Sequence, residues 1–174
     1  YDDRTASINI SGSSSITIPW KEYSVTSDYP NSFEIRVTSE ERQDQQIVSG
    51  SGWSLHLLKD TGSLAKVELK VLEGSTFVSQ STNTFPFYND EYTTIVVNKS
   101  VVEGDDTFEI FAKEGFQERI RNESSASLTV SGTSGWKNGS EIKVGGSTLN
   151  GSVDEIRLWT TPLEDSVIEN HTLL

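Results

Sequence analysis

Trp53-Ser54-Leu55-His56-Leu57, then Asp60-Thr61-Gly62-Ser63, then Ala65-Lys66-Val67-Glu68-Leu69-Lys70-Val71: the reading of this stretch decides the fold. Apolar and polar residues alternate with a period of two on both sides of a cluster of turn formers. That spacing predicts a β-hairpin with one buried face. An amphipathic helix would instead place its apolar residues three and four apart. Phe33, Ile35 and Val37 alternate with Glu34, Arg36 and Thr38 in the same way. Further strands are predicted at 8–10, 16–18, 47–48, 92–98, 107–113, 116–120, 127–130, 142–144 and 152–159, with turns at 103–106 and 114–115.

The period changes only near the end. Thr161 followed three residues later by Glu164 has the pattern of a capping box, Pro162 suits a first helical position, and Leu163 and Val167 are four apart. One short C-terminal helix is expected over 160–170. Ser and Thr make up about a quarter of the 174 residues, a bias that suits solvated strand faces and turns better than helices. About a dozen closely spaced strands with one terminal helix predict an all-β, antiparallel two-sheet sandwich. A single domain over 1–174 is expected from the length, and a first residue Tyr1 with no Met anywhere suggests a piece of a larger protein.

Composition excludes several functions. Leu, Ile, Val and Phe form about a quarter of the chain, enough for a folded core. Acidic residues outnumber basic ones by 26 to 14, and the net charge of −12 disfavours nucleic acid and anionic lipid surfaces as partners. No apolar run is long enough for a membrane-spanning helix, so membrane insertion is not expected. Without cysteine there is no disulfide, thiol nucleophile or cysteine-based zinc site.

The segment Leu149-Asn150-Gly151-Ser152-Val153-Asp154-Glu155-Ile156-Arg157-Leu158-Trp159, followed by Thr161-Pro162-Leu163, resembles the closing motif of laminin-G-like domains of the concanavalin A-like lectin/glucanase superfamily. Ser32 to Val37, Gly50 to Leu57, Thr107 to Phe111 and Lys143 to Gly146 follow in that family's order. The resemblance implies a jelly-roll sandwich used for binding carbohydrate or protein on secreted, cell-surface and bacteriophage structural proteins. It departs at Tyr92, where such domains often carry tryptophan.

Strict alternation puts Asp154 on one face with Ile156 and Leu158. An inward carboxylate there should accept hydrogen bonds from a neighbouring loop, or ligate a metal. Glu155 and Arg157 share the other face and suit a surface ion pair. Related domains often hold calcium at the sandwich rim, which makes Asp90, Glu91, Asp105 and Asp106 candidate ligands; solvated acidic turns are the alternative. Trp136, isolated among glycines and small polar residues, either stacks on a sugar ring, with Lys137 and Asn138 supplying hydrogen bonds, or folds back to cover a sheet edge. Phe85, Phe87 and Tyr88 pose the same alternative.

No acidic triplet of a glycoside hydrolase is present, and no glycine-flanked serine nucleophile. His56 alternates with the buried positions of its strand, and His171 is placed after the last helix. Six Asn-X-Ser/Thr triplets, at Asn9, Asn98, Asn122, Asn138, Asn150 and Asn170, exceed chance, but a Ser/Thr-rich sequence produces them without selection for glycan. The expected function is a non-catalytic module of a virion or surface structural protein, serving attachment or assembly. Its expected partners are surface glycans or other structural proteins of a larger assembly. The competing readings are a lectin domain of a cellular secreted or surface protein and a glycoside hydrolase.

Overall fold

A computed structural model describes residues 7–21, 29–39 and 41–174. In chain order the elements are β1 (Ile8–Ile10), β2 (Ser15–Pro19), β3 (Ser32–Thr38), β4 (Gln45–Ser49), β5 (Trp53–Lys59), β6 (Leu64–Glu73), β7 (Thr76–Ser81), β8 (Phe85–Pro86), β9 (Thr93–Val102), β10 (Asp105–Phe116), β11 (Arg119–Val130), a 3₁₀ turn (Gly135–Lys137), β12 (Glu141–Gly145), β13 (Gly151–Trp159) and α1 (Asp165–Leu173). One sheet has the order β1-β13-β3-β9-β10-β11. The other runs β2-β12-β4-β5-β6-β7, with β8 added on β6. All pairings are antiparallel.

The hairpin read from the sequence is present as β5–β6, with Trp53 opposite Val71, Leu55 opposite Leu69 and Leu57 opposite Val67. All six are fully buried, and they face Phe33, Ile35, Val37, Ile95, Val97, Phe108 and Ile110 of the other sheet across one apolar core. Alternation holds because each sheet buries one face there.

Strand β9 is buried on both faces because α1 covers its outer side: Val96 is fully buried yet lies outside the central cluster. Polar contacts hold the helix down. Lys113, almost wholly buried, reaches Asp165 at 2.8 Å, Glu123 at 3.0 Å and Glu169 at 3.3 Å. Burial alone would lower its pKa, but the Asp165 and Glu123 carboxylates raise it above the ordinary lysine value. Glu34, 2% exposed, accepts from Arg157 at 2.9 Å, from Trp159 Nε1 at 3.1 Å and lies 3.0 Å from His171 Nδ1. His171 sits in the last helical turn, stacked on Trp159.

The structure corrects three local expectations. The helix begins at Asp165 with Glu164 as its N-cap residue and no side-chain capping bond, so Thr161 and Glu164 form no capping box. Asn98 is the reason: its side chain accepts from Leu163 N–H at 3.0 Å and donates to Leu163 C=O at 2.8 Å, which keeps that segment extended. Residues 114–115, expected as a turn, continue β10 opposite a bulge at Arg121 of β11; the chain reverses at Gln117 and Glu118, inside the strand expected at 116–120.

Asp154 does not point inward. Val153 pairs with Val37 and Ile156 with Ile35, so Asp154 and Glu155 together oppose one residue in a β-bulge. The bulge shifts the phase of alternation. Asp154 is partly exposed, with Arg36 at 3.8 Å, and Glu155 meets Arg157 at 2.6 Å as the sequence suggested.

Candidate ligand-binding cleft

The two rims of the sandwich differ. At the rim where β9 turns into β10, carboxylates staple a loop. Asp106, buried with Lys99 at 2.8 Å, accepts from the backbone N–H of Ser134 at 2.8 Å and from its hydroxyl at 2.7 Å. Asp105 accepts from Gly132 N–H and Glu73 from Ser131 N–H, both at 2.8 Å. Burial would raise the Asp106 pKa, but the bonds from Lys99 and Ser134 outweigh it and hold the carboxyl below its ordinary value. The role expected of Asp154, satisfying loop amides, belongs to Asp106.

That loop carries Trp136, which is fully buried and no sugar platform. Its ring lies 4.5 Å from Trp53, 5.0 Å from Trp20 and 5.5 Å from Phe108, and Nε1–H donates to Pro30 C=O at 2.8 Å. Glycines let the loop descend that far: a Cβ on Gly52 would stand 2.2 Å from Gly135 O. Of the expected stacking site, only Lys137 and Asn138 reach solvent. Phe85, Phe87 and Tyr88 are core residues too, and burial, with Asp44 adding to it, pushes the Tyr88 hydroxyl up to about 12.

The proposed calcium ligands do not converge. Asp90 precedes β9 and Asp105 follows it, so the length of that strand, roughly 30 Å, separates them. Asp106 is committed to Lys99, and among the described residues no group of three His, Asp or Glu could hold a metal. The residues read as a calcium set do not fit one.

Asp90 instead lines a cleft of about 530 Å³ at the opposite rim, with Asn9, Ser39, Glu41, Asn150 and Ser152 among its walls. A buried network shapes it. Gln45 donates to Ser39 Oγ at 2.9 Å and to Glu41 C=O at 2.7 Å, and its Oε1 accepts from Asn150 N–H at 2.9 Å. Ser39 Oγ donates to Asn150 C=O at 2.6 Å, and the Glu41 carboxylate accepts from Asn150 Nδ2 and from Gln43 Nε2. Asp90 takes φ 65°, a left-handed conformation that costs a non-glycine residue energy and turns it toward the rim.

Sequence reasoning named Asp90 but missed Ser39, Glu41 and Gln45. Ser39 and Glu41 follow β3 and Gln45 opens β4, in a stretch without apolar alternation, and their meeting with residues 149–152 shapes the cleft. On the outer face of the β5 sheet, His56 lies 2.8 Å from Ser54 Oγ, its pKa lowered chiefly by burial and further by Lys70. Both residues lie within the β4–β5–β6 ladder, Ser54 opposite Ser49 and Lys70, and His56 opposite Gln46 and Glu68.

The fold is a laminin-G-like jelly roll of the concanavalin A-like type, presenting a polar rim cleft. It resembles the LG1-3 region of the laminin alpha2 chain, with a TM-score of 0.62, 12% identity, and coverage of 92% of this chain but 32% of that one. It likewise resembles a native heptameric SAP-like pentraxin from Limulus polyphemus, with a TM-score of 0.61, 10% identity, and coverage of 99% of this chain and 83% of that one. This chain therefore spans about a third of the laminin region. No family model matches the chain, and no curated protein matches it.

Proposed function

We propose that this chain is a non-catalytic binding module that takes hydroxyl-rich ligands, glycans, in the rim cleft. The observation that carries the reading is the cleft itself: about 530 Å³, walled by amide, hydroxyl and carboxylate groups held in place by Gln45 and Asn150. Sugar hydroxyls both donate and accept, and such a wall offers both functions in fixed directions. The Glu41 carboxylate serves in that wall as a hydrogen-bond acceptor, with one oxygen on Asn150 Nδ2 and the other on Gln43 Nε2. The biological setting is part of the proposal: a virion or surface structural protein using the module for attachment or assembly, supported by the cysteine-free, Ser/Thr-rich, strongly acidic composition.

The test is a glycan array probed with the wild type, Asp90→Asn and Asn9→Ala, with Lys137→Ala as a control at the far rim. Asn tolerates the backbone of Asp90, so that variant alters chemistry without disturbing the loop. Retention of glycans by the wild type and by Lys137→Ala, and loss in both cleft variants, is expected. Binding lost only in Lys137→Ala would move the site to the other rim.

A further inference from the structure

The β10–β11 hairpin projects past its neighbour. Pairing of β10 with β9 stops at Glu114 opposite Thr93, whereas pairing with β11 continues to Phe116 opposite Arg119. At the tip, Gln117 and Glu118 take φ 50° and 60°, so two non-glycine residues hold left-handed backbone. Just before them Phe116 is 44% exposed, with the Arg121 guanidinium 5.3 Å from its ring centroid. A single exposed aromatic needs no explanation in itself. Its connections do.

Arg121 Nε lies 3.6 Å from the fully buried carboxylate of Glu114, which also accepts from Asn122 Nδ2 at 3.0 Å and from Asn89 Nδ2. Asn89 directly precedes Asp90 of the cleft. A continuous line of contacts thus joins the cleft wall to Phe116, and both sit at the same rim. Thr38 ends β3, with Ser39 directly after it, and Phe116 ends β10, two strands over in the sheet order, so roughly 10 Å of rim separates them at about 4.8 Å per strand.

We propose that Phe116 is a second subsite of this cleft, an aromatic platform for a sugar ring of an extended, uncharged glycan whose other end occupies the cleft. The proposal rests on the glycan reading of the cleft. Arg121 lies against the ring, and the exposed part of the ring offers a surface to the apolar face of a sugar. Because Arg121 is engaged with Glu114, while Glu41 and Asp90 line the cleft in a chain of net charge −12, the surface repels a sulfated or sialylated chain. The separation fits an oligosaccharide and is too long for a monosaccharide.

The experiment is titration calorimetry with malto-, cello- and chito-oligosaccharides of increasing length, on the wild type, Phe116→Ala and Phe116→Trp, with sedimentation velocity on each. For the series that binds, wild-type affinity should rise about three- to tenfold from monosaccharide to tetrasaccharide, the worth of one stacking contact. Phe116→Ala should lose that rise and keep the monosaccharide affinity; Phe116→Trp should retain it. An unchanged length dependence in Phe116→Ala would overturn the second subsite while leaving the cleft reading intact. A wild-type dimer that Phe116→Ala dissociates, with glycan affinity untouched, would make the hairpin a contact between copies and overturn it too. Failure of the wild type to bind any neutral or charged glycan would remove the cleft reading and this inference together.

Discussion

Replacing Trp136 by Ala tests whether the 131–140 loop is a lid on the core or a binding loop. The indole is fully buried among Trp20, Trp53 and Phe108. A tryptophan buries on the order of 150–250 Å², worth about 4–6 kcal/mol at roughly 25 cal/mol per Å². Removal also leaves Pro30 C=O without the Nε1–H donor it has at 2.8 Å. Partial collapse of the site brings the expected loss to about 3–5 kcal/mol, a third or more of a typical domain's stability. Trp136→Phe keeps most of the ring and should cost about 1–3 kcal/mol, chiefly for the unpaired carbonyl. Urea unfolding followed by far-ultraviolet circular dichroism, with the slope unchanged, measures both. A loss below about 1 kcal/mol in Trp136→Ala would mean that the indole does not hold the loop to the core.

The remaining predictions address polar and backbone features. Asp106→Ala strands Lys99, which is buried at 2.8 Å from it, and should cost about 3–5 kcal/mol by urea denaturation. Because the Asp106 pKa is lowered in the fold, its contribution is complete above about pH 4 and disappears as the pH falls through the folded value; Asp106→Asn should flatten that limb of the stability–pH curve. Glu118→Gly relieves a left-handed residue at the β10–β11 turn and should stabilise by about 0.5–1 kcal/mol, read as a higher melting temperature. Thr161→Ala, outside the helix and making no cap, should shift stability by less than about 0.5 kcal/mol; a drop of 1 kcal/mol or more would restore the capping box.

The strands legible in the sequence are those whose two faces meet different surroundings. Trp53 to Val71 alternates because one side is core and the other water. Strand β7, with Phe77 half-exposed at a sheet edge and only Val78 packed against the core, has no fully buried residue to impose a pattern, and it went unread. The bulge in β13 left a trace: Val153 and Ile156 are both apolar and three apart, a spacing that strict alternation forbids and one extra residue explains. Trp136 misled because an aromatic among glycines looks the same whether glycine frees the loop for a ligand or lets it descend into the core. The cleft was illegible for another reason: the pair Ser39 and Glu41, Asp90, and Asn150 belong to three distant stretches of sequence that meet only through the topology.

The clamp between Asn98 and Leu163 carries a consequence for how the chain matures. Asn98-Lys99-Ser100 and Asn122-Glu123-Ser124 are acceptor triplets for a transferase that works on nascent, unfolded polypeptide. In the finished fold Asn98 is 2% exposed, with its side-chain amide bonded to both the N–H and the C=O of Leu163, and Asn122 Nδ2 is turned onto a buried carboxylate. An oligosaccharide attached to Asn98 before folding would occupy the place of its bonds to Leu163, ahead of the C-terminal helix, and one on Asn122 the place of its bond to Glu114. Formation of the Asn98–Leu163 clamp and N-linked modification at Asn98 therefore exclude each other.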